Sequence, residues 1–359
     1  MKPMRFENVF LHGFGYALAP VIVATEDLED ALAPTYAKLR IPHGQLETMT
    51  GIVERRWWEP GYPITEGAIV AAQRCLEAHD VPAADIGMLV YGAVCREHFE
   101  PATACHVAAG LQARGHAIDP AAAVFDVSNA CLGVITGIVE VANRIALGQI
   151  EAGLVVASET AREINEATLA RLNADPTMAR FASSVATFTG GSGAVAVLVT
   201  SERYGGHRLE GVATRAAPAH HRLCRWGLEP HPGATAPSDD PAVRAFASTD
   251  AAGVLEHGVK LGAETWADFL ETTGWAPAQI DRTVCHQIGA AHRSTMLQTL
   301  HRDPATDFAA YEHLGNIGTV ALPLATALAA ERDFLLPNHR VGLLGIGSGL
   351  NCMMLGVTW

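Results

Sequence analysis

Two kinds of hydrophobic pattern alternate along the chain. Short, almost continuously apolar runs bounded by glycine or polar residues are typical of buried strands, whereas apolar residues recurring at i, i+3, i+4 and i+7 are typical of helices with a buried face. Strands are predicted over residues 88–94, 123–127, 154–157, 194–199, 209–214, 283–286, 341–345 and 353–357. Helices are predicted over residues 64–78, 132–148, 253–272, 292–300 and 320–334. This alternation predicts an α/β fold with a largely buried sheet.

The two halves of the sequence resemble each other. Leu76-Glu77 precedes one strand-like run, and Leu270-Glu271 precedes another at a constant offset of 194 residues. Gly191-Ser192-Gly193 and Gly347-Ser348-Gly349 each stand before an apolar run. Together these similarities predict a duplicated α/β unit, with one half at residues 1–200 and the other at residues 201–359.

Composition narrows the compartment and the possible partners. The chain has 359 residues, 49% hydrophobic and 18% charged, so it can bury a large interior. Its formal net charge of −13 disfavours nucleic acids and anionic membrane surfaces as partners. The seven cysteines form no Cys-x-x-Cys pair, which predicts a reducing, cytoplasmic compartment without disulfides. We expect no transmembrane helix, because no uninterrupted apolar run reaches about 18 residues.

Two segments need a choice between interpretations. Residues 10–23 are apolar, but polar, glycine and proline interruptions favour a first strand and loop over a signal peptide. Residues 218–241 are rich in His, Pro, Ser and Gly, which predicts a long surface loop. Its histidines, His220, His221 and His231, have no Cys or carboxylate partner at ligand spacing, so no metal site is predicted there.

Cys131 lies where a predicted strand gives way to a predicted helix. The thiol would therefore stand at the positive end of a helix dipole, a location that lowers a cysteine pKa and favours a nucleophile. A small buried core residue is the alternative, since most cysteines are of that kind. The turn alone leaves both interpretations open.

Three further segments carry chemically versatile side chains. His286 stands at the exit of an apolar strand in Val284-Cys285-His286-Gln287, where a lone His is more often structural than catalytic. Asn316 is flanked by glycines just before a helix, where it could also be a cap or a turn residue. Glu100 lies in Arg96-Glu97-His98-Phe99-Glu100-Pro101, which could also be an ordinary polar loop.

Taken in order, these pieces resemble the thiolase superfamily, in particular its ketoacyl synthase III branch. The resemblance covers essentially the whole chain. Its motifs are Asp126-Val127-Ser128-Asn129-Ala130-Cys131, Val284-Cys285-His286-Gln287, Gly315-Asn316-Ile317-Gly318 and Gly345-Ile346-Gly347-Ser348-Gly349-Leu350-Asn351. It implies a duplicated five-layer α-β-α-β-α thiolase fold, an acyl-CoA or acyl carrier protein thioester as substrate, no separate cofactor and a homodimer.

The resemblance also implies a role for each residue. Cys131 attacks an acyl thioester and holds the acyl group, while His286 and Asn316 donate hydrogen bonds to the thioester oxygen of the second substrate. Backbone N–H groups at Cys131 and near Gly347, Ser348 and Gly349 form an oxyanion hole.

Within the branch, the chain is similar to the acyl-CoA condensing enzymes of bacterial olefin biosynthesis. The shared segments include Phe99-Glu100-Pro101-Ala102-Thr103, Leu223-Cys224-Arg225 and Glu312-His313-Leu314-Gly315-Asn316. This implies a non-decarboxylative Claisen condensation of two fatty acyl-CoA molecules. An acyl-CoA is weakly acidic at its α-carbon, so the reaction needs a base. Glu100 matches the glutamate of these enzymes that supplies the base from the neighbouring subunit.

Other functions remain open at this point. A decarboxylating ketoacyl synthase III would use a malonyl thioester and leave Glu100 as a surface carboxylate. Transfer of the acyl group to an alcohol, amine or water is another reaction of the same acyl-enzyme. A silent subunit of a heterodimer is the non-enzymatic alternative, although such subunits usually lack the nucleophile.

The chain departs from ketoacyl synthase III at two places. Gln45 and Met49 stand where that branch carries a Trp and an Arg that hold the adenine of CoA. Arg55 and Arg56 remain candidates for phosphate contacts, with a solvated charge pair as the alternative. The Asn that usually follows the catalytic His is missing. Apolar residues near the motifs suit either acyl tunnels or core packing: Ala130, Leu132, Ile317, Val320 and Leu350.

Overall fold

A computed structural model describes residues 3–230 and 243–359 of the chain. Its strands are β1 (Met4–Arg5), β2 (Val9–Leu18), β3 (Val21–Ala24), β4 (Glu54–Trp57), β5 (Ile86–Tyr91), β6 (Ala123–Asp126), β7 (Ala152–Glu159), β8 (Gly193–Ser201), β9 (His207–Ala216), β10 (Cys224–Pro230), β11 (Val243–Thr249), β12 (Arg282–Cys285), β13 (Asp307–Phe308), β14 (Arg340–Gly347) and β15 (Asn351–Thr358). Its helices are α1 (Thr25–Ala31), α2 (Ala33–Leu39), α3 (Gln45–Thr50), α4 (Ile64–Ala78), α5 (Thr103–Ala113), α6 (Gly133–Ala146), α7 (Arg162–Ala174), α8 (Met178–Ser184), α9 (Ala251–Thr273), α10 (Ala290–Thr299), α11 (Tyr311–Leu314) and α12 (Ala321–Glu331).

Both halves of the chain build the same strand arrangement. The first half runs β6-β5-β7-β8-β2 and the second half runs β13-β12-β14-β15-β9. In each half the first three strands pair in parallel and the last two pairings are antiparallel. Pairing of β2 with β9 joins the halves. The predicted α/β fold is confirmed, and the division at residue 200, at the end of β8, stays a prediction.

Two buried helices lie between the strands of the two halves. Helix α12 buries all nine residues from 321 to 329, and it packs on β2, β8, β12 and β14. Helix α6 buries an apolar face of Val, Ile and Ala side chains against β5, β7 and β8. Helices α4 and α9 cover the outer faces of the first and second halves. This layering places the N-termini of α6 and α12 in the middle of the molecule, where the sheet ends meet.

The predicted elements appear with ends shifted by up to three residues, and helix 64–78 has the predicted ends. The segment 10–23 forms most of β2 and β3. The prediction of a loop over residues 218–241 is wrong in part, because β10 pairs with β11 in an antiparallel hairpin. Apolar residues alternate at 224, 226 and 228, a strand signal that the polar composition obscured. His231 lies outside the described residues.

All seven cysteines are free, as predicted. Among the residues that the structure describes, no helix has the length and apolar character needed to cross a membrane.

Candidate active site

Cys131 stands on a strained turn between β6 and α6. It belongs to a 3-10 turn, Ala130–Leu132, so α6 begins two residues later than the sulfur. Ala130 adopts a φ of 46°, in the left-handed region that residues with a Cβ rarely occupy. The helix start packs directly on another loop, since a Cβ on Gly133 would lie 1.7 Å from the carbonyl oxygen of Gly92. A local conformation that costs free energy and is held by its surroundings is typical of a functional site.

Loops of the second half hold this turn in place. The Asn351 amide donates a 2.8 Å hydrogen bond to Asn129 Oδ1, and the Val134 N–H donates one of 2.8 Å to Thr319 Oγ1. Thr319 thereby satisfies an N–H in the first turn of α6 that has no partner within the helix. The position of the sulfur therefore depends on both halves of the chain.

Asn316 is oriented so that its amide nitrogen stays available. Its Oδ1 accepts a 3.0 Å hydrogen bond from the Gly318 N–H. Its own N–H donates to the Thr189 carbonyl at 2.8 Å, and its carbonyl accepts from the Gly191 N–H at 3.0 Å. With the backbone and the side-chain oxygen engaged, Nδ2 remains as a hydrogen-bond donor.

His286 follows directly after β12, and its N–H donates to the Leu344 carbonyl at 2.8 Å. The next residue, Gln287, accepts hydrogen bonds from the N–H groups of Ala310 and Tyr311 through Oε1 at 2.8 and 3.2 Å. Gln287 thus fixes the His286 segment to the start of the α11 turn that leads to Asn316.

One apolar cavity brings the predicted catalytic residues together. It has a volume of about 380 Å³, and Cys131, His286 and Asn316 all line it. Gly347 and Ser348 line it too, and a Cβ on Gly347 would lie 3.4 Å from the Cys131 nitrogen. The other lining residues are Met49, Thr50, Val185, Ala186, Thr189, Cys224, Thr249, Ala251, Ala252, Val254, Leu255, Ile288, Gly289, Ala291, His292, Ile346 and Leu350. An apolar cavity with few convergent polar groups suits a ligand with a long hydrocarbon part.

The pKa of Cys131 differs from the one predicted from the sequence, and the pKa of His286 is shifted as well. Burial raises the pKa of the Cys131 thiol to about 12, with smaller contributions from Cys224 and Glu159. The prediction that the turn lowers this pKa is wrong, because desolvation of the sulfur disfavours the thiolate more than the turn favours it. Burial, with a smaller contribution from nearby His292, lowers the pKa of His286 to about 3. The resting site therefore holds a neutral thiol and a neutral imidazole.

His292 is a site residue that sequence reasoning missed. It lines the cavity, is 7% exposed, and both of its ring nitrogens are buried without a partner among the described residues. Burial lowers the pKa of His292 to about 4. The only available signal was its position six residues after His286, in the first turn of a predicted helix.

Glu159 is the second missed residue. This buried carboxylate accepts hydrogen bonds from the Val94 and Cys95 N–H groups at 3.0 and 3.1 Å. It also lies beside the Asn316 loop, because a Cβ on Gly318 would be 3.1 Å from Glu159 Oε1. Burial raises its pKa. An acid two residues after the predicted strand 154–157 was the signal in the sequence.

Glu100 does not line the cavity of its own chain. It is exposed on the segment 96–102, and its neighbour Phe99 is 90% exposed. The segment is anchored at its start, where Arg96 pairs with Asp126 at 3.4 Å. Asp126 also accepts hydrogen bonds from the N–H groups of Thr103 and Ala104. Both ends are held, and Glu100 projects between them.

Several binding predictions need correction. Arg55 is 1% exposed and donates to the Val23 and Phe188 carbonyls at 3.3 and 3.2 Å, so it is not available to a CoA phosphate. Arg56 is half-buried and donates to the Ala19 carbonyl at 3.4 Å, away from the cavity lining. The five apolar residues that suited either acyl tunnels or core packing divide between the two. Leu350 lines the cavity, Ala130 is half-buried outside the cavity lining, and three pack in the core: Leu132, Ile317 and Val320.

Comparison with known proteins gives concordant matches. Residues 270–359 match the family model for the C-terminal part of 3-oxoacyl-[acyl-carrier-protein] synthase III. The chain is 46% identical to an acyl-CoA:acyl-CoA alkyltransferase of Shewanella oneidensis, over 99% of this chain and 100% of that protein. It is 32% identical to an acyl-CoA:acyl-CoA alkyltransferase of Xanthomonas campestris, over 99% and 100%. A crystal structure of an OleA variant from Xanthomonas campestris with bound lauric acid and lauroyl-CoA matches at a TM-score of 0.89 and 31% identity, covering 99% of this chain and 100% of that one.

Proposed function

Because the chain belongs to the acyl-CoA:acyl-CoA alkyltransferase family, the thiolase-fold condensing enzymes that include OleA, we propose that it joins two fatty acyl-CoA molecules by a non-decarboxylative Claisen condensation. It is an acyltransferase of the thiolase fold, and such enzymes act on acyl thioesters without a separate cofactor. The observation that carries the proposal is the meeting of Cys131, His286 and Asn316 around one apolar cavity.

The first step forms an acyl-enzyme. Neutral His286 accepts the thiol proton as Cys131 Sγ attacks the thioester carbonyl, because the buried thiolate is costly until the new bond forms. The carbonyl electrons move onto oxygen, where the Cys131 N–H and the N–H groups near Gly347 and Ser348 stabilise the oxyanion. When the carbonyl reforms, the C–S bond to CoA breaks and the CoA sulfur takes up the proton.

The second step makes the carbon–carbon bond. A base removes a proton from the α-carbon of the second acyl-CoA, and the negative charge moves to its thioester oxygen. Asn316 Nδ2 and the His286 ring donate hydrogen bonds to that oxygen. The α-carbon then attacks the acyl-enzyme carbonyl and the bond to Cys131 Sγ breaks. The departing thiolate takes up the proton that the base removed, and a β-ketoacyl thioester results. Its hydrolysis gives the β-keto acid.

We assign the base to Glu100 of a partner subunit in a homodimer. Within its own chain Glu100 lies outside the cavity, on an exposed segment whose neighbour Phe99 presents its ring to solvent. A large exposed aromatic side chain of this kind is typical of a protein interface. A second copy that buries Phe99 would carry Glu100 towards the cavity of the facing chain.

The seven free cysteines support a reducing, cytoplasmic location.

Donor choice separates this function from that of a ketoacyl synthase III. The decarboxylating ketoacyl synthase III is the second candidate, because residues 270–359 match the family model of that enzyme. The His286–Asn316 pair is compatible with both reactions. Incubation with lauroyl-CoA alone is expected to release CoA continuously and to yield a β-keto product, both measured by mass spectrometry. Turnover that requires a malonyl thioester, on CoA or on acyl carrier protein, would reject the leading function.

The pH dependence of the first step follows from the two shifted groups. His286, with its pKa lowered to about 3, stays neutral at every pH well above that value, and Cys131, with its pKa raised to about 12, stays protonated at every pH well below it. Acylation by lauroyl-CoA is therefore expected to vary less than about twofold between about pH 6 and pH 9. Quenched-flow mass spectrometry of the acyl-enzyme measures this rate. A tenfold rise per pH unit would instead show that a preformed thiolate attacks.

A further inference from the structure

Three side chains of the kinds that bind metal ions meet beside the Glu100 segment. They are Glu97 and His98, which precede Glu100, and His106, which follows it on α5. One ligand atom of each lies within 4.8 Å of the other two, and the two imidazole centroids are 5.6 Å apart at an interplanar angle of 57°. This cluster is separate from the cavity that holds Cys131.

The carboxylate of the cluster is already oriented by the protein. Glu97 Oε1 accepts hydrogen bonds of 2.9 Å from both the N–H and the hydroxyl of Thr65, at the start of α4. Oε2 is thereby left as the free oxygen. His106 stands in the first turn of α5, whose N-terminal N–H groups are held by Asp126. Two of the three candidate ligands are therefore held by the protein: Glu97 through its side chain, and His106 through the helix that carries it.

We propose that Glu97, His98 and His106 bind one divalent transition-metal ion of the zinc class. Two imidazole nitrogens and one carboxylate oxygen form a ligand set that suits zinc, whereas calcium and magnesium prefer oxygen ligands alone. Ligand atoms around tetrahedral zinc lie about 3.4 Å apart, so small side-chain rotations close the observed spacing. The fourth position is open to water.

A bound ion would link the two ends of the Glu100 segment. Glu97 and His98 lie on its near side and His106 lies on its far side, so one ion would restrict the residues between them. The effect on catalysis rests on the proposed function, because it requires Glu100 to be the base of the condensation. Binding of the ion itself does not depend on that function. The expected kinetic signature is a change in condensation with no change in the acylation of Cys131.

Zinc titration of the full, untagged chain tests the site. Isothermal titration calorimetry with zinc chloride is expected to show one ion per chain, and H98Q/H106Q is expected to weaken binding at least tenfold. His301→Asn is the matched control, because His301 is exposed elsewhere and its φ of 51° suits asparagine. The titration is repeated in Cys131→Ala, where the stoichiometry is expected to remain one.

The proposal fails if the wild type binds no zinc, and two further results would also overturn it. One is equal zinc affinity in the wild type and in H98Q/H106Q, which would show adventitious binding elsewhere. The other is a stoichiometry of zero in Cys131→Ala, which would place the ion at the thiol. If the chain bound zinc at this cluster but condensed no acyl-CoA, the metal site would stand and the proposed function would fail. If it condensed acyl-CoA without binding zinc, the proposed function would stand and the metal site would fail.

Discussion

Replacing Cys131 with alanine is expected to abolish the acyl-enzyme and to lower condensation on the order of 10³-fold or more. In the proposed mechanism Cys131 is the only group that carries the first acyl chain between the two steps, so its loss removes the intermediate and not merely its stabilisation. Intact-mass spectrometry after mixing with lauroyl-CoA measures the result: the wild type gains one lauroyl group and Cys131→Ala gains none.

Cys224→Ala is the matched control for that experiment. Cys224 lines the same cavity and interacts electrostatically with Cys131, so a reagent that labels any accessible thiol would modify both. The Cys224→Ala chain is expected to gain one lauroyl group. A lauroyl adduct of equal yield on Cys131→Ala would assign the nucleophile to another residue and would end the proposed mechanism.

Glu100→Gln is expected to separate the two chemical steps. The amide has the shape of the carboxylate but cannot accept the α-proton, so condensation should fall by about 10²–10⁴-fold. Acylation of Cys131 should remain within about twofold of the wild type, because in the proposed mechanism that step uses His286 and the oxyanion hole and not Glu100. Acyl-enzyme mass and β-keto product are measured on the same sample. Glu140→Gln, on the exposed face of α6, is the isosteric control and should leave both rates unchanged.

Mixing two inactive variants tests whether Glu100 acts across a dimer. Heterodimers of Glu100→Gln with Cys131→Ala contain one site with an intact thiol from one chain and an intact carboxylate from the other. After subunit exchange at equal amounts, about a quarter of the wild-type condensation rate should return, since half of the dimers carry one complete site. If the mixture remained inactive while exchange was verified by mass, Glu100 would not act in the partner's site.

Local pattern was sufficient to predict the elements that bury a regular face. Helix α4 shows apolar residues at helical spacing throughout, and its predicted ends match the structure. The motifs around Cys131, His286 and Asn316 follow strands or precede helices of a sheet-based fold, so the ends of those strands could be expected to converge. The three residues do line one cavity.

Properties set by distant residues could not be predicted in the same way. The burial of Arg55 depends on the Phe188 carbonyl, 133 residues away in the chain, and no local pattern encodes that contact. The pKa of Cys131 is dominated by desolvation, which the whole surrounding cavity determines, whereas the helix start that suggested a lowered pKa is a local feature. His292 lacks any motif, and its proximity to His286 comes from the way α10 begins.

The hydrogen bonds from Asn351 to Asn129 and from Val134 to Thr319 make the position of Cys131 depend on both halves of the chain, which constrains how the sequence can change. The first half of the sheet carries the sulfur, and the second half carries the imidazole and the carboxamide, so neither half holds all three groups. A change that loosens the second half would disturb the sulfur of the first without altering any residue near it in sequence. Substitutions in one half are therefore expected to require compensating substitutions in the other.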